Sequence, residues 1–354
     1  MGDDDMEAAA SYAEKDAWPH RSSRVRDQSR RLLSARVWVG ALVLLGLALV
    51  PVLSAATGQP FYVTLFSRIM VLALAATGLN LVLGYGGMVS FGHSLYIGVG
   101  AYAVGILSSH GIVNGWAHAG AALGVGLALA VPIGIVCLRV AGMGFIMITL
   151  AFAQMLYFFV VSLKMYGGDD GLAIAQQSQF AGLDLARGTT LYYVIFSVLA
   201  LTLLCFQRLV HSRFGMVIRG CKSNQRRVAA LGISPLRYKL TAYVISALVC
   251  VLAGVLMANL TLYASSSYMQ WSVSGELIVM VVLGGLGTVL GPVVGAIVLL
   301  TLEETLSSFA VGLPWDIDAF VSSHWMALLG LFIVAIGIAL KQGLYGVLPN
   351  GGKP

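Results

Sequence analysis

The sequence predicts an all-α polytopic membrane protein with about ten transmembrane helices. Three observations carry that prediction. Hydrophobic residues fill 58% of the 354 positions and charged residues only 10%, against roughly 45–50% and 25% in soluble globular proteins. The apolar residues gather in ten runs, each near the ~20 residues that a helix needs to cross a hydrocarbon core about 30 Å thick. Glycines interrupt these runs in both halves of the chain, around 84–87 and around 284–292. Such spans and their loops leave no room for a large soluble domain.

Residues 1–36 are polar, acidic at Asp3, Asp4, Asp5 and Glu7, then basic at Arg21, Arg24, Arg26, Arg30, Arg31 and Arg36. A signal peptide would place a short apolar core nearer the start, with a small-residue cleavage site after it. The stretch reads instead as a disordered cytosolic extension running into the first span. The apolar runs follow at 37–57, 65–83, 88–107, 116–138, 143–163, 189–210, 238–262, 274–290, 291–310 and 324–341. Translocation discriminates against positively charged loops. With the N-terminus inside, 18 of the 21 Lys and Arg residues fall on the cytosolic side, leaving Arg68, Lys164 and Arg187 outside. Both termini are therefore expected in the cytosol.

Two loops stand out. The external segment from Lys164 to Gly188 carries Gly167, Gly168, Asp169, Asp170 and Gly171. The internal segment from His211 to Arg237 lies in a stretch without Asp or Glu from Asp184 to Glu276. Arg208, Arg213, Arg237 and Lys239 read as positive anchors at the membrane surface. Val217, Ile218, Cys221, Val228, Ala229, Leu231 and Ile233 are interleaved with polar residues at helical spacing, and Gly232 with Pro235 supplies a stop. A short amphipathic helix outside the membrane needs a surface for its apolar face, either headgroups or a partner protein.

Several chemistries are excluded. No G-x-x-x-x-G-K-[ST] loop is present, since the only Gly-Lys pair is Gly352-Lys353, so nucleotide hydrolysis by that route is not expected. No Ser, His and Asp grouping or H-E-x-x-H helix points to hydrolysis. Cys137, Cys205, Cys221 and Cys250 stand singly, without disulfide or zinc spacing. No metal, bound cofactor or nucleic-acid partner is expected.

Charges inside spans are expensive. Glu276 opens the eighth run and reads as a first-turn acid stabilised by the helix N-terminus. Glu303 and Glu304 lie in the ninth run. They read either as carboxylates near the outer helix end or as members of a pathway or proton relay. His110, His118 and His324 read as interfacial imidazoles.

The third run opens Gly84, Tyr85, Gly86, Gly87, Met88, Val89, Ser90, Phe91, Gly92, His93; the later counterpart is Gly284, Gly285, Leu286, Gly287, then Gly291-Pro292 and Gly295. Unwound backbone in a membrane is tolerated only where it is buried or lines a cavity, so matching breaks in two halves point to a transport site. Gly287, Gly291 and Gly295, four residues apart, read as helix packing. Packing needs no imidazole, so Ser90 and His93 read as lining a polar path. The candidate route comprises Asn80, Tyr85, Ser90, His93 and Tyr96.

These motifs resemble the permease subunits of branched-chain amino acid ABC importers, specifically the LivM type. The resemblance is carried by Gly78-Leu79-Asn80-Leu81, Gly84-Tyr85, Gly87, Ser90, Gly92-His93 and Gly100-Ala101-Tyr102. Further matches are Gly144-Phe145 with Thr149 to Phe152, Gly167 to Leu172, Ala229 to Ile233, and Glu276 through Gly284-Gly285-Leu286-Gly287 to Gly291-Pro292. It spans roughly residues 60–345. It implies a transmembrane permease domain over 37–342, with a cytosolic coupling segment at 211–236 and a cytosolic tail at 343–354, in a bacterial inner membrane. It also implies partners: a homologous LivH-type permease, two cytosolic ATPase subunits that hold the ATP, and a periplasmic solute-binding protein. Arg213, Arg219, Arg226, Ala229, Ala230 and Gly232 are then expected in the ATPase coupling segment. Gly168, Asp169, Asp170 and Gly171 are likewise expected to face the binding protein or the outer gate.

The sequence departs from the family pattern at two places. Family members often carry acidic residues where this chain reads Lys222-Ser223-Asn224-Gln225-Arg226-Arg227, which implies a more acidic cleft on the ATPase. Tyr166 stands where Thr commonly precedes the Gly-Gly pair. The functional expectation is a non-enzymatic transport subunit for branched-chain amino acids or a related small polar solute. The alternatives are an ion- or proton-coupled secondary transporter using Glu303 or Glu304 and, third, a channel.

Overall fold

The computed structural model describes residues 21–180, 185, 187–308, 324–339 and 343–345, with side chains from Trp38 onward. Eleven helices are described: α1 Arg21–Thr57, α2 Phe61–Asn80, α3 His93–Ser109, α4 Gly115–Cys137, α5 Met143–Ser162, α6 Gly188–His211, α7 Arg213–Ala230, α8 Pro235–Thr261, α9 Trp271–Gly284, α10 Gly291–Ser307 and α11 Trp325–Ala339. Two two-residue strands, β1 Leu172–Ala173 and β2 Tyr263–Ala264, pair antiparallel with Leu172 opposite Ala264. The chain is all-α in substance. All packing described below lies within residues 43–347.

Each of the ten apolar runs coincides with a helix, but the helices fall into two length classes. Among the described residues, six segments are long and apolar enough to cross a membrane: Trp38–Thr57, Phe61–Tyr85, Gly115–Cys137, Met143–Ser162, Gly188–His211 and Pro235–Thr261. Of the other four, α3, α9 and α10 have 17, 14 and 17 residues, less than the ~20 that a full crossing takes, and α11 is described over 15 residues up to Ala339. The glycine breaks account for two of them. The run expected from 88 starts its helix only at His93, and the run expected to reach 290 stops at Gly284.

The expected disordered extension also differs in part. Backbone is helical from Arg21, the first described residue, so the basic stretch to Arg36 continues the first span's helix; residues 1–20 lie outside the described residues. The expected tail likewise begins in contact with the bundle. Leu344 N–H donates to Leu283 O at 2.8 Å and Tyr345 N–H to Gly284 O at 2.9 Å, filling carbonyls that the end of α9 leaves open. Lys341 and residues 346–354 lie outside the described residues.

The bundle is built around α2 and α8. α2 is apolar on all sides and its residues from Ile69 to Asn80 are buried, the pattern of a helix enclosed by others. α8 packs against α2, α3, α4 and α7. Its crossing with α3 is set by two glycines: a Cβ on Gly254 would sit 1.9 Å from Ile97 O, and one on Gly100 would sit 2.1 Å from Val251 O. Only hydrogen fits at either place. α9 and α10 cross through Gly284 and Gly295 in the same way, with added Cβ atoms 1.8 Å from Gly291 O and 1.9 Å from Met280 O. The packing role expected of Gly291 and Gly295 fits this crossing. Gly287 is not on a helix at all; it occupies a turn at φ 72°.

Candidate functional site

The first break starts where α2 reaches Asn80. Residues Leu81–Tyr85 widen into a π-turn, and the chain leaves it through a left-handed Gly87 at φ 68°. Met88 N–H returns to Val82 O at 3.0 Å and Gly87 N–H to Leu83 O at 3.2 Å, a glycine-ended helix stop. Residues 86–92 are irregular and lie against α5, where Phe91 N–H donates to Thr149 Oγ1 at 3.2 Å. The two breaks meet. Asn80 Nδ2 donates to Thr288 O at 2.7 Å, and Gly287 N–H donates to Asn80 Oδ1 at 3.1 Å. One amide thus clamps the turn after α9 to the end of α2, and a Cβ on Gly84 would lie 2.5 Å from Gly287 N.

Beyond the break, His93 begins α3 with no exposure. Its Nδ1 lies 2.9 Å from Ser90 Oγ, its Nε2 lies 2.9 Å from Ser246 Oγ, and Ser246 Oγ donates to Gly78 O at 2.6 Å. The single Ser246 hydrogen is committed to Gly78, so His93 Nε2 must be the donor toward Ser246. Nδ1 of the neutral ring then accepts from Ser90. A turn further on, Tyr96 Oη donates to Tyr243 Oη at 3.1 Å, and the rings of His93, Tyr96 and Tyr243 meet edge to face. Asn80, Ser90, His93 and Tyr96 are all buried, and Tyr85 is 8% exposed. In this conformation the polar atoms of Asn80, Ser90, His93 and Tyr96 are bonded within the bundle, as buried polar groups require.

The partners on α8 and α9 are not among the residues that the sequence singles out. Tyr243 and Ser246 sit three apart on α8, a spacing that puts two hydroxyls on one face of an apolar helix. Ser274 on α9 accepts from Ser94 N–H at 2.9 Å and donates to Ser94 Oγ at 2.8 Å. His118 is not interfacial: it is fully buried, with Nδ1 2.7 Å from Ser178 Oγ and Nε2 2.7 Å from Ile112 O. Glu276 is not in the first turn either, because α9 already begins at Trp271. Glu303 and Glu304 are half-buried in the last turns of α10.

The expected amphipathic helix is α7, but it is two helices in line. Asn224 has extended backbone at φ −156°, ψ 100°, and its Oδ1 accepts from Arg227 N–H at 3.0 Å, capping the second piece. Gly215, Ile218, Cys221 and Val228 form the buried face. Arg213, Arg219, Arg226, Ala229, Ala230 and Gly232 are exposed, as are Met216 and Leu231. Arg219 donates to Gly215 O on its own helix and to Val210 O at the end of α6. Lys222 reaches the first break, with Nζ 2.8 Å from Gly84 O, and Lys239 on α8 donates to Gln225 Oε1 at 2.7 Å.

At the far ends of α5 and α8, the Gly167–Gly171 loop is fastened to the α8–α9 connection. Ser266 Oγ donates to Asp169 O at 3.1 Å, and Gly171, at φ 80°, leaves no space for a Cβ against Ala264 O. Gly168 is buried, while Asp169 and Asp170 are exposed.

Residues 61–344 match the family model described as the branched-chain amino acid transport system / permease component. Among curated proteins, the chain is 25% identical over 334 residues to the high-affinity branched-chain amino acid transport system permease protein LivM of Salmonella typhimurium, covering 86% of this chain and 76% of that one. It is 26% identical over 320 residues to the probable branched-chain amino acid transport permease protein LivM of Methanocaldococcus jannaschii, covering 78% and 90%. The permease protein LivH of Escherichia coli is 26% identical over 286 residues, covering 75% and 90%. No solved structure matches. Ten apolar helices, two glycine breaks clamped together and a match across four-fifths of the chain lead to one conclusion: the chain belongs to the family of branched-chain amino acid transport permease components, and its likeness is to LivM.

Proposed function

We propose that the chain is the LivM-type permease subunit of an ATP-binding-cassette importer. It passes branched-chain amino acids, or a related small polar solute, across a bacterial inner membrane, with both termini in the cytosol. It works beside a LivH-type permease, receives solute from a periplasmic binding protein near Asp169 and Asp170, and draws its energy from two ATPase subunits. The observation that carries this reading is α7. This helix is seated on the bundle by Gly215, Ile218 and Cys221 while it presents Arg226, Arg227, Ala229, Ala230 and Leu231 outward. A basic face without acids suits an acidic cleft on a partner protein. The segment from Tyr85 to Tyr96, with Asn80, borders the route, and its internal hydrogen bonds exchange for bonds to solute when the helices part. Specificity then resides mainly in the binding protein, since a weak internal site favours release.

Mild-detergent isolation of the tagged chain from its own host tests the assembly. Two cytosolic ATPases and a second permease are expected to copurify. Isolation as a single subunit that still transports solute down an ion gradient would instead establish the secondary transporter built on Glu303 and Glu304.

A further inference from the structure

Lys222 occupies a place that a surface anchor does not need. Its ammonium lies 2.8 Å from the carbonyl oxygen of Gly84, 138 residues away in sequence. That carbonyl belongs to the π-turn at the end of α2, where the backbone N–H groups of Gly86, Gly87 and Met88 go to Leu81, Leu83 and Val82. Among the described residues no backbone N–H reaches Gly84 O, so it is one of the orphan carbonyls that every helix end leaves. A lysine is suited to fill it, because cations are favoured at helix C-termini.

Lys222 is exposed as a whole residue, and its stem runs past Gly87 on the way to Gly84. Gly87 takes the left-handed φ of 68°, and a Cβ there would lie 2.8 Å from Lys222 Cγ and 3.6 Å from Lys222 Cβ. The backbone of Lys222 is fixed in turn, one residue after the buried Cys221 and at the end of the α7 piece that Gly215 and Ile218 seat on the bundle. On the far side of the π-turn, Asn80 binds both Gly287 N–H and Thr288 O. A continuous chain of short contacts therefore runs from the exposed helix through the first break to the second.

We propose that Lys222 is a positioning residue that ties α7 to the first glycine break, so that α7 and both breaks move as one piece when a partner moves α7. The proposal deepens the importer reading and rests on it. A shift of α7 without the tie would slide past Gly84, and the breaks would stay where they are. With the tie, displacement at the cytosolic surface reaches Gly84, and through Asn80 it reaches Gly287.

The test uses the complete complex with its own ATPases. Lys222→Met keeps the apolar stem and removes the ammonium; it is expected to assemble and hydrolyse ATP while import falls at least tenfold. Hydrogen exchange at the amides of residues 84–88 is expected to quicken in the same variant. A covalent tie should replace the polar one. In Gly87→Cys/Lys222→Cys the Cβ atoms would stand 3.6 Å apart, within the range of about 3.5–4.5 Å that disulfides span. Burial pushes the neighbouring Cys221 thiol up, against a smaller opposing pull from Lys239, so Cys221 is a poor competitor for exchange. Import is expected to be low in the reduced double variant and several-fold higher once it is oxidised; strain at position 87 is common to both forms. Wild-type import by Lys222→Met, no gain on oxidation, or failure of the disulfide to form would each overturn the tie. If no ATPase copurifies with the wild-type chain, the importer reading fails by itself. Unchanged exchange at residues 84–88 in Lys222→Met would still refute the contact.

Discussion

His93→Leu removes two buried hydrogen bonds at once, and the loss can be worked out from the geometry. The ring has no exposure and joins Ser90 on its own segment to Ser246 on α8. A net intramolecular hydrogen bond is worth about 0.5–1.5 kcal/mol, and bonds between helices in a membrane average about 0.6 kcal/mol. Leucine fills most of the imidazole volume, so the cavity contribution is small. It leaves the Ser90 hydrogen without its acceptor in the core, and an unsatisfied buried group costs about 1–3 kcal/mol. The expected loss of stability is about 2–3 kcal/mol. Ser246 keeps its bond to Gly78 O in this variant, so Ser246→Ala added to His93→Leu should cost less than it does alone. Reversible unfolding in mixed micelles of the wild type, both single variants and the double variant gives a coupling energy. About 0.5–2 kcal/mol is expected. A coupling below about 0.3 kcal/mol, or a His93→Leu protein as stable as the wild type, would show that His93 does not hold α3 to α8.

Three further outcomes follow from the same reasoning. Gly254→Ala drives a methyl against the Ile97 carbonyl and is expected to cost about 1–3 kcal/mol, whereas Gly120→Ala, with nothing within 4 Å of the added Cβ, should be neutral or slightly stabilising; thermal unfolding of the two variants compares them directly. A cysteine at Asp170 should label from outside the cell and one at Asn224 only after permeabilisation, and labelling of Asn224 from outside would reverse the proposed orientation. Bulky replacements at the exposed Ala229 and Ala230 should leave the isolated chain folded and disrupt the ATPase complex or its import, as pull-down and uptake would report.

How far the sequence is legible depends on the kind of interaction. Apolar runs are read directly, because every stretch that avoids water becomes a helix, and Gly86-Gly87 and Gly284-Gly285 mark the two places where a helix must stop. Partnership is not legible. Asn80 in an apolar run says that the amide needs partners, but nothing local says that they are Gly287 and Thr288, 207 and 208 residues away. The same holds for Lys222 and Gly84, and for His118, whose position near a span end is compatible with either water or Ser178. Helix boundaries inside an amphipathic stretch are not legible from periodicity. Asn224 carries the cap that splits α7, and its bond to Arg227 N–H is a signal that hydrophobic periodicity passes over. The spacing of Gly287 from Gly291 and Gly295 suggests a packing stripe, but its left-handed turn belongs to the break instead.

Uptake by proteoliposomes containing the purified assembly addresses the importer reading most directly. Radiolabelled leucine is supplied outside with the cognate binding protein, ATP is sealed inside, and a protonophore is added in parallel. Uptake that requires internal ATP and the binding protein and is indifferent to the protonophore is the result expected of a permease driven through α7. Uptake that proceeds without ATP and collapses with the proton gradient would contradict it.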